Sequence, residues 1–356
     1  MRVVHCGTGL TGREALRAII EDPALELVGQ YVSTPDKVGR DSGELCGLPP
    51  TGVLATGDLS SLLALNADCF CYGGNVVGRE EEATEEVALF LRAGTNVVTF
   101  ALVSLTYPPT SPPELRTIID DACAAGGTSF YASGTDPGAL AMNVPASLLS
   151  MAGRVTRYRM QLFAMDIATA YPVAEVLRGS MGFGMPDGTA PPRVTSGMVE
   201  RDWTPDIRFI SDLMGCTLDG IALEYETACA TEDLETPIGT IEAGTIASYR
   251  WELSGRVAGT PVVSVEYIAT ITNDAPMPAS WARLPEGVRS GIGYVIEGRP
   301  GMRAIVSVDP MPDERLNGSI PMTALAATNA IPAVVAARPG HLSPTDVGFY
   351  ATRRVG

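Results

Sequence analysis

Lysine is almost absent from this chain. Its 356 residues include one, Lys37, beside 24 arginines, and only two histidines, His5 and His341. A Walker-type phosphate loop needs a lysine in a G-K-[ST] context, whereas Lys37 lies in "PDKVG", so that mode of phosphate binding is excluded. Two histidines far apart in sequence leave no basis for a histidine-rich metal centre, and no metal is expected. The seven cysteines form no C-x-x-C pair and sit in apolar settings such as "ADCFCY". They read as buried thiols of a reducing cytoplasm, not as disulfides or zinc ligands. Apolar runs of membrane-spanning length are missing, and "MRVVHC" reaches its first glycine too early for a secretory signal. A cytoplasmic protein is the expectation. Positive charge is also short, with 25 basic against 41 acidic residues and a net charge of −16. That balance disfavours nucleic acid and anionic membranes as partners.

What is present is a chain that is 46% hydrophobic and too long for one ordinary core. Short apolar strands alternate with amphipathic helices to about residue 133: "RVVHC", "GREALRAIIED", "LELVGQYV", "GVLAT", "LSSLLAL", "DCFCYGG", "EEEATEEVALFLRAG", "TNVVTFA", "PPELRTIIDDACAAGG" and "TSFYAS". This rhythm predicts an α/β domain with a Rossmann-like, doubly wound parallel sheet over 1–138. After "SGTDPG" a helix over 139–152 is expected. Long alternating stretches such as "GTIASYRWELSGRVAG" and "PVVSVEYIATIT" then predict a second, α+β domain over 139–318. It would have an open, mainly antiparallel sheet and a helical insert near 171–214. A final helix over 319–337 contains Pro332, where a kink or break is expected.

The first strand–loop–helix unit carries "GTGLTG", with Gly7, Gly9 and Gly12 in the G-x-G-x-x-G spacing. The motif follows a strand, opens a helix and is followed by a second strand, which is the context that dinucleotide binding requires. The first glycine permits the turn, the second lets backbone approach a pyrophosphate, and the third lets helix and strand pack. Thr8, Leu10 and Thr11 complete the loop. For NAD an acidic residue usually closes the second strand. Here Ser33 and Thr34 stand there, followed by Lys37 and Arg40, and hydroxyls with cations suit a 2′-phosphate. NADP is the expected cofactor, with NAD as the alternative. Gly73 and Gly74, after the fourth strand, would let the chain pass close to it, and Ala101 lies in the loop expected over the nicotinamide.

The stretches "RVVHCGTGLTGREALRAII", "YVSTPDKVGRDSGELCGLPPTGV", "GTNVVTF…YPP", "GGTSFYASGTDPG" and "NAIPAVVAARPG" together resemble the dihydrodipicolinate reductase-like oxidoreductases. That group includes the 2,4-diaminopentanoate dehydrogenases and the native amine dehydrogenases. The resemblance implies a Rossmann domain, a sheet-based second domain with a substrate cleft between them, a homodimer, and a tail from 319 to 356 that returns to the first domain. It also implies hydride transfer from NAD(P)H to an imine or carbonyl carbon. The histidine-rich stretch of true dihydrodipicolinate reductases is missing, which argues against a lysine-pathway enzyme. The resemblance further expects a glutamate shortly after the "NVV" strand. Leu102 or Val103 occupies its place, and nothing acidic lies between Asn96 and Glu114. Leucine and valine cannot accept a proton from an amine.

The residues left for proton handling are Ser104 and Tyr107 in that loop and Thr135 and Asp136 in "SGTDPG", although Asp-Pro-Gly is foremost a turn. His5 reads as a core histidine and His341 as a loop residue. Leu102, Val103, Tyr171, Met181 and Phe183 are candidates to wall an apolar substrate pocket. The expected function is an NAD(P)H-dependent oxidoreductase acting on a C=O or C=N bond of a small, mainly apolar molecule. The alternative is a dinucleotide-binding protein with little or no catalysis.

Overall fold

The computed structural model describes residues 1–288, 290–308 and 318–354. They divide into two compact units, one of residues 1–139 with 318–354 and one of residues 140–288 with 290–308.

The first unit opens with β1 (Arg2–Cys6), α1 (Leu10–Glu21), β2 (Glu26–Tyr31), α2 (Ser42–Leu45), β3 (Ala55–Thr56) and α3 (Leu59–Leu63). It continues with β4 (Cys69–Tyr72), α4 (Glu80–Arg92), β5 (Asn96–Thr99), α5 (Pro113–Gly126) and β6 (Ser129–Ala132). The second unit holds α6 (Val144–Leu149), β7 (Arg154–Ala164), α7 (Ile167–Ala170), α8 (Pro192–Thr195), α9 (Met198–Leu213), β8 (Gly220–Cys229), β9 (Ile246–Val257), β10 (Thr260–Thr270), β11 (Gly291–Arg299) and β12 (Met302–Val306). The chain then rejoins the first unit with α10 (Ser319–Val335), β13 (Gly340–His341) and α11 (Pro344–Val347).

In the first unit seven strands lie in the order β13-β6-β5-β4-β1-β2-β3, and every pair is parallel. Such strands need apolar residues on both faces, and β4 (Cys69, Phe70, Cys71, Tyr72) is buried throughout. On one face Phe70 stacks on Phe90 of α4 with ring centroids 3.9 Å apart, beside Ile119 of α5. On the other, Val3 and Val98 pack with Ala15 and Ile19 of α1 and with Ala330, Ile331 and Val334 of α10. The strand order reverses between β1 and β4. In open parallel sheets that reversal opens a crevice at the carboxyl ends of the strands.

Two expectations need correction and one needs new bounds. No break occurs at Pro332: the segment is one continuous helix from Ser319 to Val335. Burial of Ala330, Ile331 and Val334 outweighs the cost of about 3 kcal/mol that an interior proline imposes. The helix expected over 139–152 is present from Ala139 to Leu149, opening with a π-helical stretch at Ala139–Asn143 that runs into α6, with Pro145 in the first turn of α6. His341 is not in a loop. It pairs with Phe130 in β13, an edge strand too short to carry a sequence signal.

The six-stranded sheet of the second unit has the order β12-β11-β7-β10-β9-β8. Its pairs are antiparallel except β7 with β10. One face packs on α9, where Trp203 lies 5.7 Å from Trp251 and a Cβ on Gly255 would meet Ile207 and Leu218. The alternate residues carry a cross-strand charge network. Arg250 pairs with Glu226 at 3.0 Å, with Glu252 at 2.6 Å and with Glu266, and Arg157 reaches Glu252 at 2.6 Å.

Candidate functional site

A cavity of about 790 Å³ opens at the strand reversal of the first unit. It gathers Gly7, Thr8, Gly9, Leu10, Thr11 and Gly12 with Ser33, Thr34 and Lys37 from beyond β2, Gly73 and Gly74 from beyond β4, and Ala101 from beyond β5. Residues from four segments of sequence thus line one cleft because four parallel strands end at the same level.

The glycines divide the work of the loop. Gly7 has φ +108°, and a Cβ there would stand 2.2 Å from the carbonyl oxygen of Gly73. A Cβ on Gly12 would lie 2.7 Å from the Gly7 carbonyl, so that position lets α1 close onto the turn. Gly9 differs from both, because a Cβ would meet nothing within 4 Å. The space in front of it belongs to the cleft. Gly9 is also the N-cap of α1 and provides no side-chain cap, and the first turn holds no acidic residue. The leading amides of a 12-residue helix therefore have no partner from a capping side chain, at the end where the helix dipole is positive. An anion such as a diphosphate fits this cradle.

Cations flank it. Lys37 donates to Thr8 Oγ1 at 2.8 Å and to the Thr8 carbonyl at 3.2 Å, so the only lysine of the chain sits on the glycine loop. An adjoining hollow of about 510 Å³ is lined by Thr8, Arg13, Lys37 and Arg40 together with Glu44. Arg13, on α1, escaped the sequence reading because it follows the motif rather than the second strand. The loop bearing Arg40 is tied down by Asp41, whose carboxylate accepts from the backbone N–H groups of Gly43, Thr51 and Gly52 at 2.7–2.9 Å. Burial pushes that carboxyl upward, but those bonds outweigh it and hold Asp41 below the usual carboxylate range.

On the β4 side, Gly73 and Gly74 serve packing as well as the cleft. A Cβ on Gly73 would strike the Phe100 ring at 2.2 Å, and one on Gly74 would strike the Tyr72 ring at 2.7 Å. The same wall carries a network with no motif in the sequence. The Tyr72 hydroxyl donates to Glu86 Oε2 at 2.8 Å, and Arg79 pairs with Glu86 Oε1. Burial, then the neighbouring Cys6 thiol and the Glu86 carboxylate, push the Tyr72 hydroxyl well above its ordinary value.

The loop after β5 separates its candidates. Leu102 is fully buried among core residues and has no surface for a substrate, whereas Val103 is 45% exposed. Ser104 donates to Glu80 Oε1 at 2.6 Å, which brings a carboxylate from the first turn of α4 to this loop. Tyr107 is buried, and its carbonyl accepts from Thr110 and Ser111. Thr135 Oγ1 lies 3.0 Å from Thr323 Oγ1, and Thr323 lines the cleft. Asp136 stands in a tight turn closed by the Ala139 N–H bond to the Gly134 carbonyl at 2.7 Å. His5 is buried in β1 with Nδ1 2.9 Å from Gln30 Oε1, and burial lowers its pKa to about 4. His341 Nε2 donates to the Leu105 carbonyl at 2.7 Å, and burial lowers its pKa as well.

In the second unit, Met181 and Phe183 are core residues, with Phe183 edge-on to Tyr249 at 5.5 Å. Their apolar character suggested a pocket wall, but both side chains are buried in the core. Tyr171 is 47% exposed. Among the described residues no cluster of ligating side chains that could hold a metal ion occurs, all the cysteines are free, and no helix is long and apolar enough to cross a membrane.

Residues 195–352 match the model of the 2,4-diaminopentanoate dehydrogenase C-terminal domain, and residues 1–71 match that of the dihydrodipicolinate reductase N-terminus. An amine dehydrogenase of Streptomyces virginiae is 31% identical over 344 residues, which cover 96% of this chain and 94% of that protein. The chain belongs to the family of dihydrodipicolinate reductase-like oxidoreductases that includes this amine dehydrogenase. A 4-hydroxy-tetrahydrodipicolinate reductase of Synechocystis is 40% identical over only 63 residues, or 18% of this chain and 23% of that protein. Among solved structures, the amine dehydrogenase from Mycobacterium smegmatis matches with a TM-score of 0.70 at 21% identity, covering 99% of this chain and 97% of that one. A dehydrogenase from Chromobacterium violaceum matches with a TM-score of 0.54 at 10% identity over 98% and 90% of the two chains. At such identities the likeness speaks for the fold. Membership of the family makes the chain a dinucleotide-dependent oxidoreductase.

Proposed function

We propose that this family member is an NADP(H)-dependent oxidoreductase that transfers a hydride to the C=O or C=N carbon of a small, mainly apolar substrate. It would be of the amine dehydrogenase, imine reductase or ketone reductase type. The observation that carries the cofactor choice is the hollow beside the glycine loop. Arg13, Lys37 and Arg40 converge there, while Ser33 and Thr34, not a carboxylate, follow β2. A phosphate on the adenosine ribose would gain charge-assisted bonds from such a set.

When bound, the nicotinamide ring supplies the hydride. The chain's own residues seat the diphosphate at Gly9 and the leading amides of α1, hold the extra phosphate with the three cations, and handle the proton. Ser104, Tyr107, Thr135 and Asp136 are the candidates for that last task. Ser104 has the strongest chemical case. Its hydroxyl already donates to Glu80, so a carboxylate stands one hydroxyl away from the loop where a glutamate was expected. A proton accepted by Ser104 from an amine can pass to Glu80 as the Ser104 proton moves along the existing bond. Of the five residues considered for an apolar substrate wall, Val103 and Tyr171 have exposed surface to offer. The reading includes a homodimer, which light scattering would check.

The test is NADPH oxidation against a panel of ketones, with and without ammonium, beside calorimetric titration with both dinucleotides. Turnover that requires ammonium favours the amine dehydrogenase type, and turnover without it the ketone reductase type. Failure to bind NADPH and NADH would refute the proposal.

A further inference from the structure

An arginine in a nucleotide cleft is by default a phosphate ligand. Arg79 lines this one, yet four of its five N–H groups are already engaged. Nε donates to Glu82 Oε2 at 3.4 Å, Nη1 to the Asn75 carbonyl at 2.9 Å and to the Tyr72 hydroxyl at 3.4 Å, and Nη2 to Glu86 Oε1. Glu86 is equally committed, with one oxygen on Arg79 and the other on Tyr72. The bond to Glu86 raises the pKa of Arg79 further, so the charge is permanent. The guanidinium is therefore held along most of its edge, with one Nη2 N–H left over, and the side chain keeps 31% of its surface exposed. A planar cation whose N–H groups are mostly committed is better suited to stack on planar π systems than to bind further oxygens.

Resting on the dinucleotide reading above, we propose that Arg79, held by Glu86 and Tyr72, is the stacking platform for the adenine ring of the cofactor. Arg79 lies on the β4 side of the cleft, in a wall continuous with Tyr31 and Val32 from the end of β2. The cations that suit the ribose phosphate line the neighbouring hollow, which shares Thr8, Gly9, Leu10 and Lys37 with the cleft. Division of labour follows: Lys37, Arg40 and Arg13 take charge, and Arg79 takes the base.

Calorimetric titration with adenosine 2′,5′-bisphosphate tests this without turnover. Arg79→Lys keeps the charge and removes the plane. It should weaken binding about tenfold, and by a similar factor at low and at high salt, because stacking is not screened as a phosphate contact is. On the unaltered protein, the adenosine 2′-monophosphate should bind several-fold more tightly than the cytidine 2′-monophosphate, since the larger ring covers more of the platform. This comparison does not depend on the variant folding. Unchanged affinity in Arg79→Lys, a loss that disappears at high salt, or equal binding of the two monophosphates would overturn the assignment while leaving the dinucleotide reading standing. If the unaltered protein binds neither NADPH nor NADH, that reading falls and takes the adenine platform with it.

Discussion

Gly7 and Gly9 stand two residues apart in one loop and should respond to the same methyl group in opposite ways. At Gly9 the backbone has φ −74°, ordinary for an L-residue, and the added Cβ meets nothing within 4 Å. Gly9→Ala gains about 0.4–1 kcal/mol from a less flexible unfolded chain. It loses a similar amount because alanine is a poorer N-cap than glycine. The two offset to within about 1 kcal/mol, so the melting temperature should move by no more than about 4 °C. The methyl nevertheless occupies the space in front of the cradle, where a diphosphate has to approach the backbone closely. Dinucleotide affinity should fall at least tenfold, equivalent to about 1.4 kcal/mol. Gly7→Ala meets two obstacles. Its φ of +108° costs a non-glycine residue about 1–3 kcal/mol, and overlap with the Gly73 carbonyl at 2.2 Å adds about 1–3 kcal/mol more. That variant should lose both stability and binding. Differential scanning calorimetry and titration with NADPH on the two proteins read out the pair. A Gly9→Ala protein that binds as well as the parent would refute the placement of the diphosphate, and a Gly7→Ala protein as stable as the parent would refute the account of the turn.

Other outcomes follow from the same geometry. Lys37→Ala, which removes the cation bonded to Thr8, should weaken NADPH about tenfold and NADH much less, and an unchanged ratio of the two dissociation constants would remove the case for a 2′-phosphate. Glu80→Gln should lower kcat with little change in KM and alter the pH–rate profile, and a profile identical to the parent's would show that the Ser104–Glu80 pair handles no proton. Phe90→Ala removes the ring stacked on Phe70 and should cost about 3–5 kcal/mol in the first unit, measured by urea denaturation. Buried His5 stays neutral down to about pH 4, whereas in the unfolded chain it takes a proton near pH 6.5. The unfolded state thus binds more protons in that window, and stability should fall by about 3 kcal/mol as pH drops from 6.5 to 4. His5→Asn should flatten that slope in denaturation curves collected across the window.

Much of the fold was legible because its signals are local. The alternation of apolar strands and amphipathic helices, the glycine spacing and the change of rhythm after residue 138 each fall within a short window of sequence. The parallel sheet with its second, mainly antiparallel partner follows from them. Edge elements were not legible: β13 has two residues, and the continuity of α10 through Pro332 depends on side chains from β1, β5 and α1 that pack against it. Met181 and Phe183 misled because hydrophobicity tells that a residue will be covered, but not by what. Arg79 and Glu86 carried no motif, since in sequence they are one charge just before an acidic helix and one charge on it.

The sequence by itself determined where a diphosphate can sit, because glycine's freedom at Gly7 and its missing Cβ at Gly9 and Gly12 are properties of the residues and their spacing. It also determined that a carboxylate is missing from the end of β2. Only the tertiary structure decided which charges are free to act. Whether an arginine offers its N–H groups or its face, and whether a serine has a carboxylate behind it, depends on partners brought together from separate segments when the strands align, and no local pattern records them.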